Sequence, residues 1–173
     1  MNLITETKEF DVRYSTVEDE PYLKGWMSDK EIARNFPVSS ENDIAMMCRN
    51  WIGFSRFRAS LTAVYKEKPV GIATLFLMPY RKLIHHSMIY FVVSPEHLRQ
   101  GIGTSLIRNL GHLAKTHFHF EALHAEVYEG SKAVSLLQKC GYHILATQQH
   151  FVKEEGKYLA RILLEVELKD DGQ

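Results

Sequence analysis

One stretch constrains the fold of this chain more than any other. Met88-Ile-Tyr-Phe-Val-Val93 is a continuous apolar run, and Ser94-Pro-Glu-His-Leu-Arg-Gln-Gly-Ile-Gly103 follows it directly. Such a run suits a strand covered on both faces, in the middle of a sheet. Beyond Gly103, the residues Leu106, Ile107, Leu110, Leu113 and Ala114 fall at helical spacing. The two glycines therefore lie in a strand-to-helix turn. Backbone without a Cβ curls tightly, so several N–H groups can point at one anion. The first N–H groups of the helix lack internal acceptors and carry the positive end of its dipole. A pyrophosphate fits such a turn.

Two other glycine-rich turns do not match. A dinucleotide fingerprint needs a Gly or Ala three residues beyond Gly103, where Leu106 stands. A Walker-type loop needs Gly-Lys-Ser/Thr, and Gly103 runs straight into Thr104.

The pattern along the rest of the chain predicts a mixed sheet. Phe10–Tyr14 alternates as a strand. Ser15-Thr-Val-Glu18 reads as a capping box that opens a helix. Pro37 stops a short second helix, and Ser40 caps a third over about 41–57. Ser60–Tyr65 and Val70–Leu77 flank a turn at Lys66–Pro69 and read as a hairpin. Leu123–Tyr128 is the next strand, and Ser131–Cys140 is a short helix closed by Gly141. Strands over about 143–152 and 157–168 meet at Glu154-Glu-Gly156. The expected fold class is α+β: about seven strands in one mixed sheet, with helices on both faces.

A length of 173 residues suits one domain. Residues 10–59 are expected to supply its first strand and helices, on the acceptor side, 60–128 the central sheet and turn, and 129–168 a terminal helix and hairpin. Lys plus Arg equals Asp plus Glu, at 21 each, so no net charge draws the chain to nucleic acid or to an anionic membrane. Residues 1–50 are locally acidic, with ten acidic side chains against six basic ones, a bias that would favour a cationic partner. Cys48 and Cys140 form neither a disulfide framework nor a zinc spacing. His117-x-His119 lacks a third ligand, so no metal is expected. Met1–Lys8 has no apolar core of signal-peptide length, and no apolar run is long enough to span a membrane. A cytoplasmic location is expected.

Val93-x-Pro95 followed by Gln100-Gly-Ile-Gly103 resembles motif A of the GNAT superfamily, the GCN5-related N-acetyltransferases. That motif begins with Gln or Arg, followed by two residues, a Gly, any residue, and Gly or Ala; Leu98 stands at the first position here, ahead of Gly101 and Gly103. The likeness extends to Gly71-Ile-Ala-Thr-Leu75, to Ser131–Tyr142 and to Gly156-Lys-Tyr158. It covers about residues 10 to 168 and is nearest to the ribosomal-protein, polyamine and aminoglycoside acetyltransferases.

The resemblance implies acetyl-CoA as cosubstrate, held in a splay between the fourth and fifth strands. The backbone of Phe91, Val92 and Val93 would hold the pantetheine arm and the thioester carbonyl. Leu98, Arg99, Gln100, Gly101, Ile102, Gly103 and Thr104 would hold the pyrophosphate, and Ser131 would touch the pantetheine. A protonated amine cannot attack, so a base is required. The family's usual Glu on the fourth strand is Met88 here, and its usual Tyr in the last short helix is Leu137. Glu126, in a Glu-Val pair like that of the ribosomal-protein alanine acetyltransferases, is the first candidate base. Tyr128 and His86 are further candidate proton carriers. The acceptor would be a primary amine: a protein N-terminus, a polyamine, an aminoglycoside or a small amino compound. Trp26, Asp29, Glu31, Phe36, Trp51 and Phe54 lie where that pocket is expected. The two missing family residues leave an alternative open, a catalytically weakened acetyl-CoA-binding module or regulator. An exposed edge strand leaves room for a homodimer.

Overall fold

The run Met88–Val93 lies in the fourth of seven strands and occupies the middle of the sheet, as its unbroken apolar pattern requires. The strands are β1 (Asp11–Tyr14), β2 (Ser60–Tyr65), β3 (Lys68–Phe76), β4 (His86–Val93), β5 (Ala122–Tyr128), β6 (His143–Glu154) and β7 (Lys157–Glu167). This computed structural model describes residues 9–168, and Met1–Lys8, read above for targeting signals, lies outside them. The spatial order is β1-β2-β3-β4-β5-β7-β6. Neighbours are antiparallel except β4 and β5, which are parallel. The parallel pair needs a crossover helix, and α4 (Ile102–Thr116) supplies it.

Helices cover both faces. The stripe Leu106, Ile107, Leu110 and Leu113 of α4, with Leu137 of α5 (Ala133–Lys139), packs on Ala63, Val70, Ile89 and Leu123. On the opposite face α1 (Glu20–Met27) and α3 (Glu41–Gly53) bring Leu23, Met27 and Trp51 onto Ile72 and Val92. Trp51, Leu23 and Met27 are fully buried, each worth about 1.5–3 kcal/mol of transfer free energy. The helix α4 approaches β3 so closely that a Cβ on Gly71 would lie 3.0 Å from Leu106 and 3.2 Å from the Val92 carbonyl oxygen. Gly71 is thus a packing glycine. Among the described residues no helix is long and apolar enough to cross a membrane.

The cap before α1 differs from the expected Ser15–Glu18 box by one residue. The Thr16 backbone N–H donates to Asp19, not to Glu18, at 3.0 Å. Ser15 is instead drawn into a buried hydroxyl cluster, 2.8 Å from both Ser60 and Thr62. The third helix also ends earlier than expected. It closes at Gly53, and Phe54–Phe57 tightens into a 3-10 turn. The β2–β3 turn is tighter than Lys66–Pro69: Lys66 and Glu67 both take positive φ, 48° and 63°, and β3 begins at Lys68. That is the two-residue turn whose twist matches a hairpin.

Much of the acidic bias of residues 1–50 is spent on structure. Asp29 caps α2 (Lys30–Ala33) and Asp43 accepts from Ser39 and Ser40. Asp19 is buried, grips Arg13 through two contacts of 2.8 and 2.9 Å, and accepts from Thr62 at 2.8 Å. Burial alone would raise its pKa, but Arg13, the Thr16 amide and the Thr62 hydroxyl outweigh that and hold it below the usual value. A depressed carboxylate pKa contributes stability above the unfolded value, near ~4, and loses it as pH falls through the folded one. Asp19→Asn should therefore cost about 2–3 kcal/mol at neutral pH, the Arg13 side chain being partly solvated. Thermal melts between pH 3 and pH 7 check this: the variant should show the lower Tm at neutral pH and a flatter fall toward acid.

Candidate functional site

The parallel pairing of β4 with β5 covers only His86–Met88 against Ala122–His124. Both strands then continue, β4 to Val93 and β5 to Tyr128, and they part. On its other side β4 stays bonded to β3 through Val93. From Ile89 to Val93, then, the β4 edge facing β5 has no strand partner. A free strand edge accepts another extended chain through its backbone groups.

The glycine turn sits at the open end of this splay. Gly101 has φ +82°, a conformation that an L side chain adopts only with strain, and an added Cβ there would meet nothing within 4 Å. The first bond of α4 runs from Ser105 N–H to the Gly101 carbonyl at 3.0 Å. The N–H groups of Ile102, Gly103 and Thr104 therefore have no acceptor within the helix. Gly103 has a different job from Gly101. Its Cβ would lie 3.0 Å from Leu136 of α5, so it lets that helix dock beside the turn. Leu98 is exposed, and Arg99 takes φ +59°. Ser131 accepts from Ala133 N–H at 3.2 Å and so steadies the start of α5.

Across the splay lies a small polar cluster. Glu126 of β5 accepts from the Tyr90 hydroxyl of β4 at 2.8 Å and from Arg161 of β7 at 3.1 Å. Its side chain is 17% exposed and that of Arg161 is 25% exposed. Arg161 also donates to Gln148 of β6 at 2.9 Å, and its guanidinium lies 4.0 Å from the centre of the Phe151 ring. Tyr128 stands two residues beyond Glu126 on the same face, buried, with its ring near Phe151. Burial, then the nearby Glu126 charge, raises the pKa of Tyr90 and of Tyr128. Both phenols are therefore neutral hydrogen-bond donors at physiological pH.

Of the three candidate proton carriers, the fold brings Glu126 and Tyr128 together and sets His86 apart. His86 pairs with Ala122 at the closed end of the splay, four residues or about 13 Å along the strand from the level of Glu126. It belongs to a second cluster, with its ring 5.0 Å from that of His124, which hydrogen-bonds Glu165. Burial, then His124 and His85, lowers its pKa. Met88 sits at the last paired position of β4, and Leu137 is fully buried beneath α5. Trp51 and Trp26 are core residues, Asp29 is a cap and Glu31 pairs with Arg34. Among the described residues no group of three or more His, Cys, Asp or Glu is arranged to hold a metal ion.

Tyr90 and Arg161 carry no motif that marks them as functional. Their one signal is placement, a hydroxyl inside an apolar run and a guanidinium within the apolar strand Tyr158–Val166.

A strand edge left free beside a helix N-terminus with an αL glycine is the layout that motif A implied. Residues 22–142 match the family model described as acetyltransferase (GNAT) family. This chain belongs to that family. Solved structures agree on the fold. The ribosomal-protein-alanine N-acetyltransferase of Brucella melitensis is 19% identical, with a TM-score of 0.73 over 90% of this chain and 98% of its own. The Salmonella typhimurium protein yncA, solved with its cofactor acetyl-CoA, is 12% identical, with a TM-score of 0.78 over 95% and 97%. A spermidine N-acetyltransferase SpeG chimera from Vibrio cholerae is 15% identical, with a TM-score of 0.73 over 92% and 95%. No curated protein matches. The GNAT domain makes this chain an acetyltransferase, and acetyl-CoA is the cosubstrate of its family. The residues present fit that molecule: donors at the head of α4, an open approach over Gly101, and an unpaired strand edge leading to a carboxylate.

Proposed function

We propose that this GNAT domain acetylates a primary amine, with acetyl-CoA in the β4–β5 splay and Glu126 receiving the amine's proton. The observation that carries this reading is the Glu126 carboxylate, held across the opening by Tyr90 and Arg161. Acetyl-CoA supplies an acetyl thioester, which a free amine can attack directly. The protein then has three tasks. The N–H groups from Leu98 to Thr104 bind the pyrophosphate, with Arg99 and Gln100 at the rim. The backbone of Phe91, Val92 and Val93 aligns the arm and polarises the carbonyl, and Ser131 borders it. Glu126 takes one proton from the amine. Tyr128, kept protonated by burial, hands a proton to the departing sulfur.

This arrangement does without the usual Tyr, since Leu137 is sealed in the core. The protein N-terminus, polyamine, aminoglycoside and small amino compound remain the acceptor classes, and the reaction fits a cytoplasmic setting. The exposed edge strand β6 offers a surface for a homodimer. An acetylation screen with mass detection over these four classes tests the reading. Acetylated product with at least one class is expected. Acetyl-CoA binding without product from any class would favour the weakened, regulatory module instead.

A further inference from the structure

The charge at the candidate base is compensated, and this bears on which amine the site accepts. A lone carboxylate in a cleft attracts any cation, and polycations most of all. Glu126 is not alone: the Arg161 guanidinium touches it at 3.1 Å, and both are mostly withdrawn from solvent. The site thus presents a negative group and a positive group side by side, on neighbouring strands β5 and β7. It is a dipole rather than an anion.

Arg161 is also under-used as a donor. A guanidinium carries five N–H groups in a rigid fork. Here one goes to Glu126, another to Gln148, and Nε–H is buried with no hydrogen-bond partner. The Phe151 ring fixes the plane of the fork from one side. Gln148 is a neutral partner, and a carboxylate is the stronger acceptor for the same donor.

We propose that Arg161 is an acceptor-recognition residue, and that the acceptor is an amine with a carboxylate close by, as in an α-amino acid. This rests on the reading of Glu126 as the base. In an α-amino acid the nitrogen and the carboxylate are joined through a single carbon. A site that contacts both must hold its own anion and cation adjacent, as Glu126 and Arg161 are. The substrate carboxylate takes the place of Gln148 on the Arg161 fork, and the amine comes to Glu126. Tyr128 and Phe151, beside the pair, supply apolar surface for a side chain. A polyamine places a second cation against Arg161 and is disfavoured.

The test compares the common amino acids with their amides and with the corresponding decarboxylated amines. CoA release is measured with acetyl-CoA and wild-type protein at equal concentrations of free amine. At least one amino acid should exceed its amide and its amine in kcat/KM by roughly tenfold or more, the effect of one charge-assisted pair. In Arg161→Gln the acid-to-amide ratio should collapse to near one, and Arg161→Lys should retain part of it. Amides or plain amines serving wild type as well as the acids do would overturn the proposal while leaving acetyl transfer intact. So would Arg161→Gln lowering all three by the same factor, the mark of a purely structural strap. No CoA release with any acceptor would overturn the acetyl-transfer reading along with it.

Discussion

Replacing Glu126 by Gln is expected to lower kcat for amine acetylation roughly a hundred- to ten-thousandfold. The protein should stay folded. Gln keeps the shape of the side chain, and one orientation satisfies both neighbours. Its carbonyl oxygen accepts from Arg161, and its NH2 faces the Tyr90 hydroxyl, which can rotate to accept. What is lost is the negative charge, and with it the ability to take a proton. The partial exposure of Arg161 limits the stability cost of leaving its charge uncompensated. Single-turnover rates alongside thermal melts separate the two effects. A rate near wild type in this variant would remove Glu126 from the reaction and leave Tyr90 and Arg161 as a structural strap between strands.

Gly101→Val should weaken acetyl-CoA binding by roughly tenfold or more, corresponding to the ~1–2 kcal/mol that a left-handed conformation costs an L residue. The added Cβ has room, so the penalty is in the backbone and not in packing. Two responses are open to the chain, and both harm the turn. If φ stays at +82°, the branched side chain stands over the donors of Ile102, Gly103 and Thr104. If φ relaxes, those donors no longer converge. Gly111→Ala is the matched control within the same helix. It also has nothing within 4 Å of the added Cβ, but its φ is ordinary. It should raise stability by about 0.5–1 kcal/mol and leave acetyl-CoA binding unchanged. Titration calorimetry on the three proteins reads the comparison directly. Equal affinity in Gly101→Val and wild type would mean that the turn does not hold the cosubstrate.

The parts of this molecule that could be read from its sequence are those fixed by neighbours in the chain. Met88–Val93 announced a central strand because both faces are covered, and Gly101 announced a turn because φ +82° demands it. The spacing of Leu106, Leu110 and Leu113 announced α4. What stayed hidden depends on cross-strand register. Glu126 meets Tyr90 and Arg161, which are 36 and 35 residues away, and no local pattern encodes that meeting. The separation of His86 from Glu126 likewise follows from where the β4–β5 pairing begins and ends. The cap at Thr16–Asp19 moved by one residue because Ser15 found better partners in Ser60 and Thr62, on a strand 45 residues further on. Gly103, besides lying in the glycine turn, has a packing reason in its close approach to Leu136 that only the docked helix reveals.

The central claim is that the glycine turn and the parted strands β4 and β5 form one acetyl-CoA site ending at Glu126. A crystal structure of the wild-type protein with acetyl-CoA tests it most directly. The account predicts the pyrophosphate against the N–H groups around Gly101–Thr104, the pantetheine arm along the free edge of β4 from Ile89 to Val93, and the thioester facing the Glu126 side of the splay. Acetyl-CoA bound on another surface, with the β4 edge left bare, would contradict it.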